Sequence, residues 1–368
     1  MQSNIFLLGY LLLCLGITIP RLEPTQTQAS SLLNKNLSSI DFTRAKITPI
    51  ELDSYSQVFG FKGGYAIVKK NKKYGYLNNN GREIIKPNYD DAKDFKEGLA
   101  GIEVNKKWGF INLKGELIVN PIYDFVSDFH NGIAVVALSN ASGIPTFFGY
   151  INSKGEKVTE LKYVAAFDFF NDLGIVGLGG SYYKINKKGE LVQKIDVQYV
   201  YDYREGIIDF KKQNARGYMD EKGKVIFKSD SFFCHQFNES GLARIEKNNS
   251  MGYVNKKGEI VIRPKYYCPD NFFNQRACAM LEKKWTYINI TGNPITEFKY
   301  DRTYAFAEGL GSFELDGKIG FLDTSGAEVI KAKYEVTSNF SNGLCAVKLN
   351  GKWMYINKSE EIIMICKK

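Results

Sequence analysis

K-K-W-G-F-I-N-L-K-G-E-L-I-V-N-P-I-Y, residues Lys106 to Tyr123, decides how this chain is read. Two short runs of aromatic and β-branched residues, W-G-F-I and E-L-I-V, flank N-L-K-G, and such runs favour strands of about five residues. A three-residue hairpin loop built on a type I turn needs its last residue in the left-handed region, where glycine has no Cβ penalty. The Asn side chain at the start of the loop can satisfy loop N–H groups. The stretch is therefore a β-hairpin, and relatives of it recur about every 34 residues to the C-terminus.

The turn-opening residue is Asn78, Asn112, Asn152, Asn186, Asp220, Asn255, Asn289, Asp323 or Asn357, and the glycine three positions on is replaced only in the last unit, by Glu360. Two residues before the Asn or Asp stands an aromatic, with Lys184 the one exception. Upstream runs F-x-x-G-x-A, as at Phe95, Gly98 and Ala100, which supplies another strand, and Asn350-Gly351 and Asp316-Gly317 join strands by tight hairpin dipeptides. Counting from Phe61, Phe95, Phe129, Phe170, Tyr203, Phe237, Phe273, Phe306 and Phe340 gives nine units. An insertion at Ser139 to Thr146 is expected to protrude as a loop. Units four and five depart most from the pattern, since Lys184 replaces the aromatic and Val197 and Ser231 replace a tyrosine kept elsewhere, and a bend or a functional variation is expected there.

These motifs, K-W-G-F-I-N-x-x-G-E with G-L-A before and P-x-Y-D after, resemble the WG-repeat family of bacterial proteins over about Phe59 to Ile365. The turn and aromatic positions carry the match, because only Trp108, Trp285 and Trp353 keep the tryptophan and only Trp108 precedes a glycine. The resemblance implies a tandem β-hairpin array acting as an interaction scaffold, with no catalytic residues to carry over. The expected fold is all-β, an open array or solenoid of three-stranded meanders. A β-propeller-like ring is the alternative, because the connectors have room for a fourth short strand.

The expected organisation is a signal peptide over 1–29, a linker over 30–58 and the nine-unit repeat domain over 59–368. Ile5 to Ile19 is an uncharged apolar run too short to span a bilayer, and Thr27-Gln28-Ala29 offers small residues for cleavage before Ser30. Cys14 follows Leu13, where a lipoprotein cysteine needs a small residue. The mature chain is thus expected to be exported, periplasmic, cell-surface or secreted, with no membrane span after cleavage.

No catalytic, cofactor-binding or metal-ligating residues are assigned. The chain has two histidines, His130 and His235, and both read as surface residues in loops. There is no G-x-S-x-G, H-E-x-x-H, P-loop or paired C-x-x-C. Asp90, Asp91, Asp124 and Asp301 fall in repeat positions and read as turn caps rather than a glycosidase pair. Cys278 and Cys345 stand where other units have Ala, so they read as small core residues, whereas Cys234 and Cys268 lie one repeat apart and are candidates for a disulfide.

The net charge of +9 reflects 49 Lys and Arg against 40 Asp and Glu. Lysine pairs at hairpin tips, Lys106-Lys107, Lys187-Lys188, Lys256-Lys257 and Lys283-Lys284, discourage edge pairing and also form a basic rim. The partner expected from that rim is a protein or an acidic envelope glycopolymer. Nucleic acid is not expected for an exported chain whose aromatics serve the core. The function expected is non-catalytic binding at the cell envelope. The alternatives are a purely structural envelope protein and a glycan-processing enzyme with two facing carboxylates.

Overall fold

The computed structural model describes residues 49–237, 240–267 and 270–367. The expected signal peptide, Cys14 and Cys268 with its proposed disulfide lie outside the described residues. Among the described residues every regular element is a strand, and the strands form nine sheets, numbered one to nine here in chain order.

Sheet one shows the plan. Gln57–Val58, Tyr65–Lys70, Lys73–Asn78 and Glu83–Tyr89 pair antiparallel in sequence order. The short first strand is the one concealed in the connector, as with Asp91–Ala92 inside P-N-Y-D-D-A-K-D-F of sheet two. In sheets three and seven the outer strand shrinks to two isolated bridges, at Lys157 and Tyr163 and at Pro294 and Tyr300.

Local chemistry sets these elements. In all nine turns the opening Asn or Asp side chain accepts the N–H groups two and four residues on, as Asn112 does from Lys114 at 2.9 Å and Glu116 at 3.1 Å. The glycine of W-G has a separate cause. Between Trp108 and Phe110 the pairing with the outer strand slips, and a Cβ on Gly109 would lie 2.3 Å from the carbonyl oxygen of Val119.

Each sheet packs on the next through its own apolar cluster. The third-strand aromatic of one sheet meets the aromatic that precedes the next central hairpin, in the following sheet, at eight of the nine junctions, with ring centroids 4.6 to 5.1 Å apart. Tilted and edge-on pairs at such separations add about 0.5–1.5 kcal/mol beyond their burial. Where the third-strand residue is Tyr, its hydroxyl also donates to a carbonyl of the next sheet, as Tyr76 does to Lys93 and Tyr150 to Phe167, both at 2.7 Å.

The ninth junction joins the last sheet to the first, so the array closes. Phe61, Val68 and Leu77 share one core cluster with Ala346, Tyr355 and Met364. Tyr355 packs on Phe61 at 4.9 Å and donates to the Phe59 carbonyl at 2.7 Å. Ile50–Leu52 adds to the outer strand Ile362–Cys366 in parallel, with Ile50 opposite Met364. The propeller-like ring is thus the form adopted, and the open array is not, because the closing strand supplies an edge-to-edge link that no repeat unit contains. The same strand corrects the linker over 30–58: from residue 50 it belongs to the ring, and Leu52, Tyr55 and Val58 are buried.

One register correction bears on function. In sheets four and seven the aromatic buried at the junction is Phe169 and Phe272, not Phe170 and Phe273. Phe170 and Phe273 turn instead into a cavity on the ring axis.

Candidate functional site

The segments that lead into the central hairpins line the axis. A cavity of about 510 Å³ is walled by residues of sheets three, four, five and seven, which only a central channel can bring together. Its walls mix aromatic faces, among them Phe125, Phe167, Phe170 and Phe273, with the charged groups of Asp168, Asp202, Arg204 and Glu205 and with His130.

The charges follow a pattern that breaks at this point. Sheets two to five carry an aspartate just before the junction aromatic: Asp94, Asp128, Asp168 and Asp202. Sheets one to three carry a basic residue just after it, Lys62, Lys96 and His130. A base can therefore face the acid of the next sheet: Lys62 Nζ is 2.6 Å from Asp94, and His130 Nε2 is 3.7 Å from Asp168. Sheet four has Phe170 in the basic position, so Asp202 lacks this partner and looks to Arg204 of its own strand, at 3.8 Å. Burial pushes the Asp202 carboxyl above the usual carboxylate range and the charge of Asp168 adds to this, against the pull of Arg204 and the Tyr203 N–H.

That shift has a sign in stability. The folded state disfavours ionised Asp202, so its penalty is absent below the ordinary carboxylate value, where both states are protonated, and is complete above the raised value. Asp202→Asn should therefore melt higher than the parent at about pH 7, and the gap should narrow as pH falls towards about 4. Thermal unfolding across that range checks it, and a gap that is constant or widens on acidification contradicts the assignment.

The other sequence candidates do different work. Asp90, Asp124 and Asp301 each take a lysine of their own sheet boundary, Lys73 at 2.5 Å, Lys107 at 2.6 Å and Lys284 at 2.7 Å. They also accept a hairpin-tip N–H, from Asn105, Ser139 and Asp316, and the lysine bonds hold their carboxyls below the usual range. Asp91 accepts the N–H of Ala92. Capping is their structural role.

His130 joins the channel rather than lying apart on the surface. His235 sits in the strand Phe233–Phe237, not a loop, and burial lowers its pKa while Glu246, 3.4 Å away, opposes this. Cys278 and Cys345 are buried as expected, and burial pushes both thiols up to about 12. Among the described residues no group of three or more His, Cys, Asp or Glu is placed to hold a metal ion.

The basic rim is partly neutralised. Lys187 pairs with Asp172 at 3.0 Å and Lys256 with Glu205 at 2.9 Å, besides Lys107 and Lys284 above. Sequence reasoning missed the channel constellation. The signal was present in the residue following each junction aromatic, which runs Lys62, Lys96, His130 and then Phe170.

A family model described as WG containing repeat matches residues 50–74, 74–108, 108–140, 148–182, 217–250, 251–285, 285–318 and 319–353. These eight windows leave out residues 183–216, where Lys184 breaks the aromatic pattern. No curated protein matches the chain. A crystal structure of a eukaryotic initiation factor is similar at 8% identity and TM-score 0.60, over 83% of this chain and 96% of that one. Hsv2p of Kluyveromyces lactis matches at 8% identity and TM-score 0.40, over 75% of this chain and 96% of that one. PorZ, a bacterial surface component of the type-IX secretion system of Porphyromonas gingivalis, matches at 9% identity and TM-score 0.37, over 87% of this chain and 53% of that one. At such identities the first likeness shows the fold alone, and the other two carry no argument.

Proposed function

This chain belongs to the family of WG-containing repeat proteins, and from that membership we propose that it is an exported, non-catalytic binding scaffold that grips a protein segment or glycan strand at its central channel. The observation that carries the reading is the axial cavity. Its volume falls in the range of about 300–1,000 Å³ usual for ligand sites, and it combines aromatic faces with a few convergent charges. Export is supported by the apolar run Ile5 to Ile19 and the small residues before Ser30.

A closed ring changes where binding energy should reside. The sequence alone favoured contacts spread over many basic tips, whereas the channel gathers side chains of four sheets in one place. The test is capture of the chain's partner from its own envelope extract, by the parent and by an Arg204→Gln/Phe273→Ala variant. Both replaced side chains face the cavity and are well exposed, so the fold should survive. Affinity should fall about tenfold or more, which is about 1.4 kcal/mol. Equal capture by the variant, with loss on neutralising Lys188 and Lys257, would locate binding on the rim and defeat the channel. A glycan-processing reading draws on one observation, that Asp168 and Asp202 both face the cavity and Asp202 is raised. Glycan cleavage by the parent that Asp202→Asn abolishes, with binding kept, would establish it instead.

A further inference from the structure

The junction between sheets four and five is built unlike the other eight. Lys184 occupies the third-strand aromatic position, so Tyr203 of sheet five lacks the third-strand ring that its counterparts pack against. Only 7% of Lys184 is exposed, and its ammonium donates to Gln193 Oε1 at 2.7 Å and to the backbone carbonyl of Glu221. Tyr203 in turn donates its hydroxyl to the Glu221 carboxylate. A polar clasp thus replaces the aromatic interlock, and a cleft of about 390 Å³ stands open beside it.

Four lysines line that cleft, Lys184, Lys194, Lys212 and Lys228, against a single carboxylate, Asp196, which takes Lys212 at 2.5 Å. The floor is apolar, with Phe210 and Met219 of sheet five and Ile195 of sheet four. A bare salt-solvated surface has no need of such a floor, and a purely apolar gap has no need of the cations. We propose that this cleft is a binding site for a single-chain anionic amphiphile, an alkyl phosphate, its headgroup among the lysines and its chain against Phe210 and Met219. Phosphate is the headgroup chosen because several ammonium groups can each meet a separate oxygen of it as point charges. The site is independent of the axial channel, since it lies between the later strands of two neighbouring sheets and shares no lining residue with the channel.

The test is calorimetric titration of the full chain with dodecyl phosphate below its micelle concentration, beside inorganic phosphate and the neutral dodecyl maltoside. One saturable site is expected for dodecyl phosphate, at least tenfold tighter than for either control. The Lys194→Gln/Lys228→Gln variant alters only exposed side chains and should weaken binding about tenfold or more with its melting temperature unchanged. Lys184→Tyr restores the ring at this junction and should abolish binding by filling the cleft. Absence of a saturable site overturns the proposal, as does equal binding of the neutral amphiphile or equal binding by the double variant. Equal affinity for inorganic phosphate overturns the role given to the apolar floor.

Discussion

Tyr355→Ala should destabilise the ring by about 3–5 kcal/mol, the range for truncating a large buried aromatic. The side chain is fully buried at the junction of sheets nine and one, packed at a tilt against Phe61 and hydrogen-bonded to the Phe59 carbonyl. In a linear array the last repeat would fray locally and cost its neighbours little. In a ring this junction is as internal as any other, so Tyr355→Ala should cost about as much as Tyr150→Ala, whose aromatic packs on Phe169. Tyr355→Phe keeps the ring contact and loses the hydroxyl, leaving the Phe59 carbonyl short of its donor at about 1–3 kcal/mol. Denaturant unfolding of the three variants measures the order. A Tyr355→Ala cost below about 1 kcal/mol would mean that the ring does not close.

Gly258→Val should be the most damaging of the turn substitutions, at about 2–5 kcal/mol. Its φ of +83° costs an L residue about 1–2 kcal/mol. A Cβ there would also lie 2.1 Å from the carbonyl oxygen of Ile226 in the preceding sheet, so backbone must move, at about 1–3 kcal/mol more. Gly115→Val meets only the Ile85 side chain, at 3.3 Å, which can yield, and should cost about 1–2 kcal/mol. Glu360 already tolerates φ of +65°, and its carboxylate takes the Tyr334 hydroxyl at 3.0 Å and Lys333 at 2.6 Å. Relief of strain and loss of those partners roughly offset, so Glu360→Gly should lie within about 1 kcal/mol of the parent. Equal losses at Gly258 and Gly115 would remove the argument from close approach between sheets.

The contrast shows what the sequence could carry. An Asn or Asp with glycine three residues on announces its own turn, because every atom that fixes the loop lies within five residues. The second reason for Gly258, the Ile226 carbonyl, comes from another sheet and leaves no local trace. The ring was hidden for the same reason: Ile50–Leu52 precedes the first Asn-to-Gly turn, and its partner Ile362–Cys366 belongs to the last sheet. The channel depended on a choice between adjacent aromatics. Phe169-Phe170 and Phe272-Phe273 read alike, and a one-residue slip exchanges the member packed in the core with the member facing the axis. His130 was legible as polar, but its place beside Asp168 rests on the stacking of sheet three on sheet four.

The parallel pairing of Ile50–Leu52 with Ile362–Cys366 also orders events in time. Hairpins and neighbouring junctions can form as the chain lengthens, each from contacts within one or two units. The strand that emerges first must wait for the one that emerges last. Until then the Leu52, Tyr55 and Val58 side chains and the face of sheet one that Tyr355 covers have no native cover. An incomplete chain is therefore adhesive at both ends, and two such chains can also close on each other. Shortening the wait, by linking Lys367 to Ile50 and opening the chain in the Asn140–Gly143 turn of the insertion, makes the slow closure an ordinary early contact.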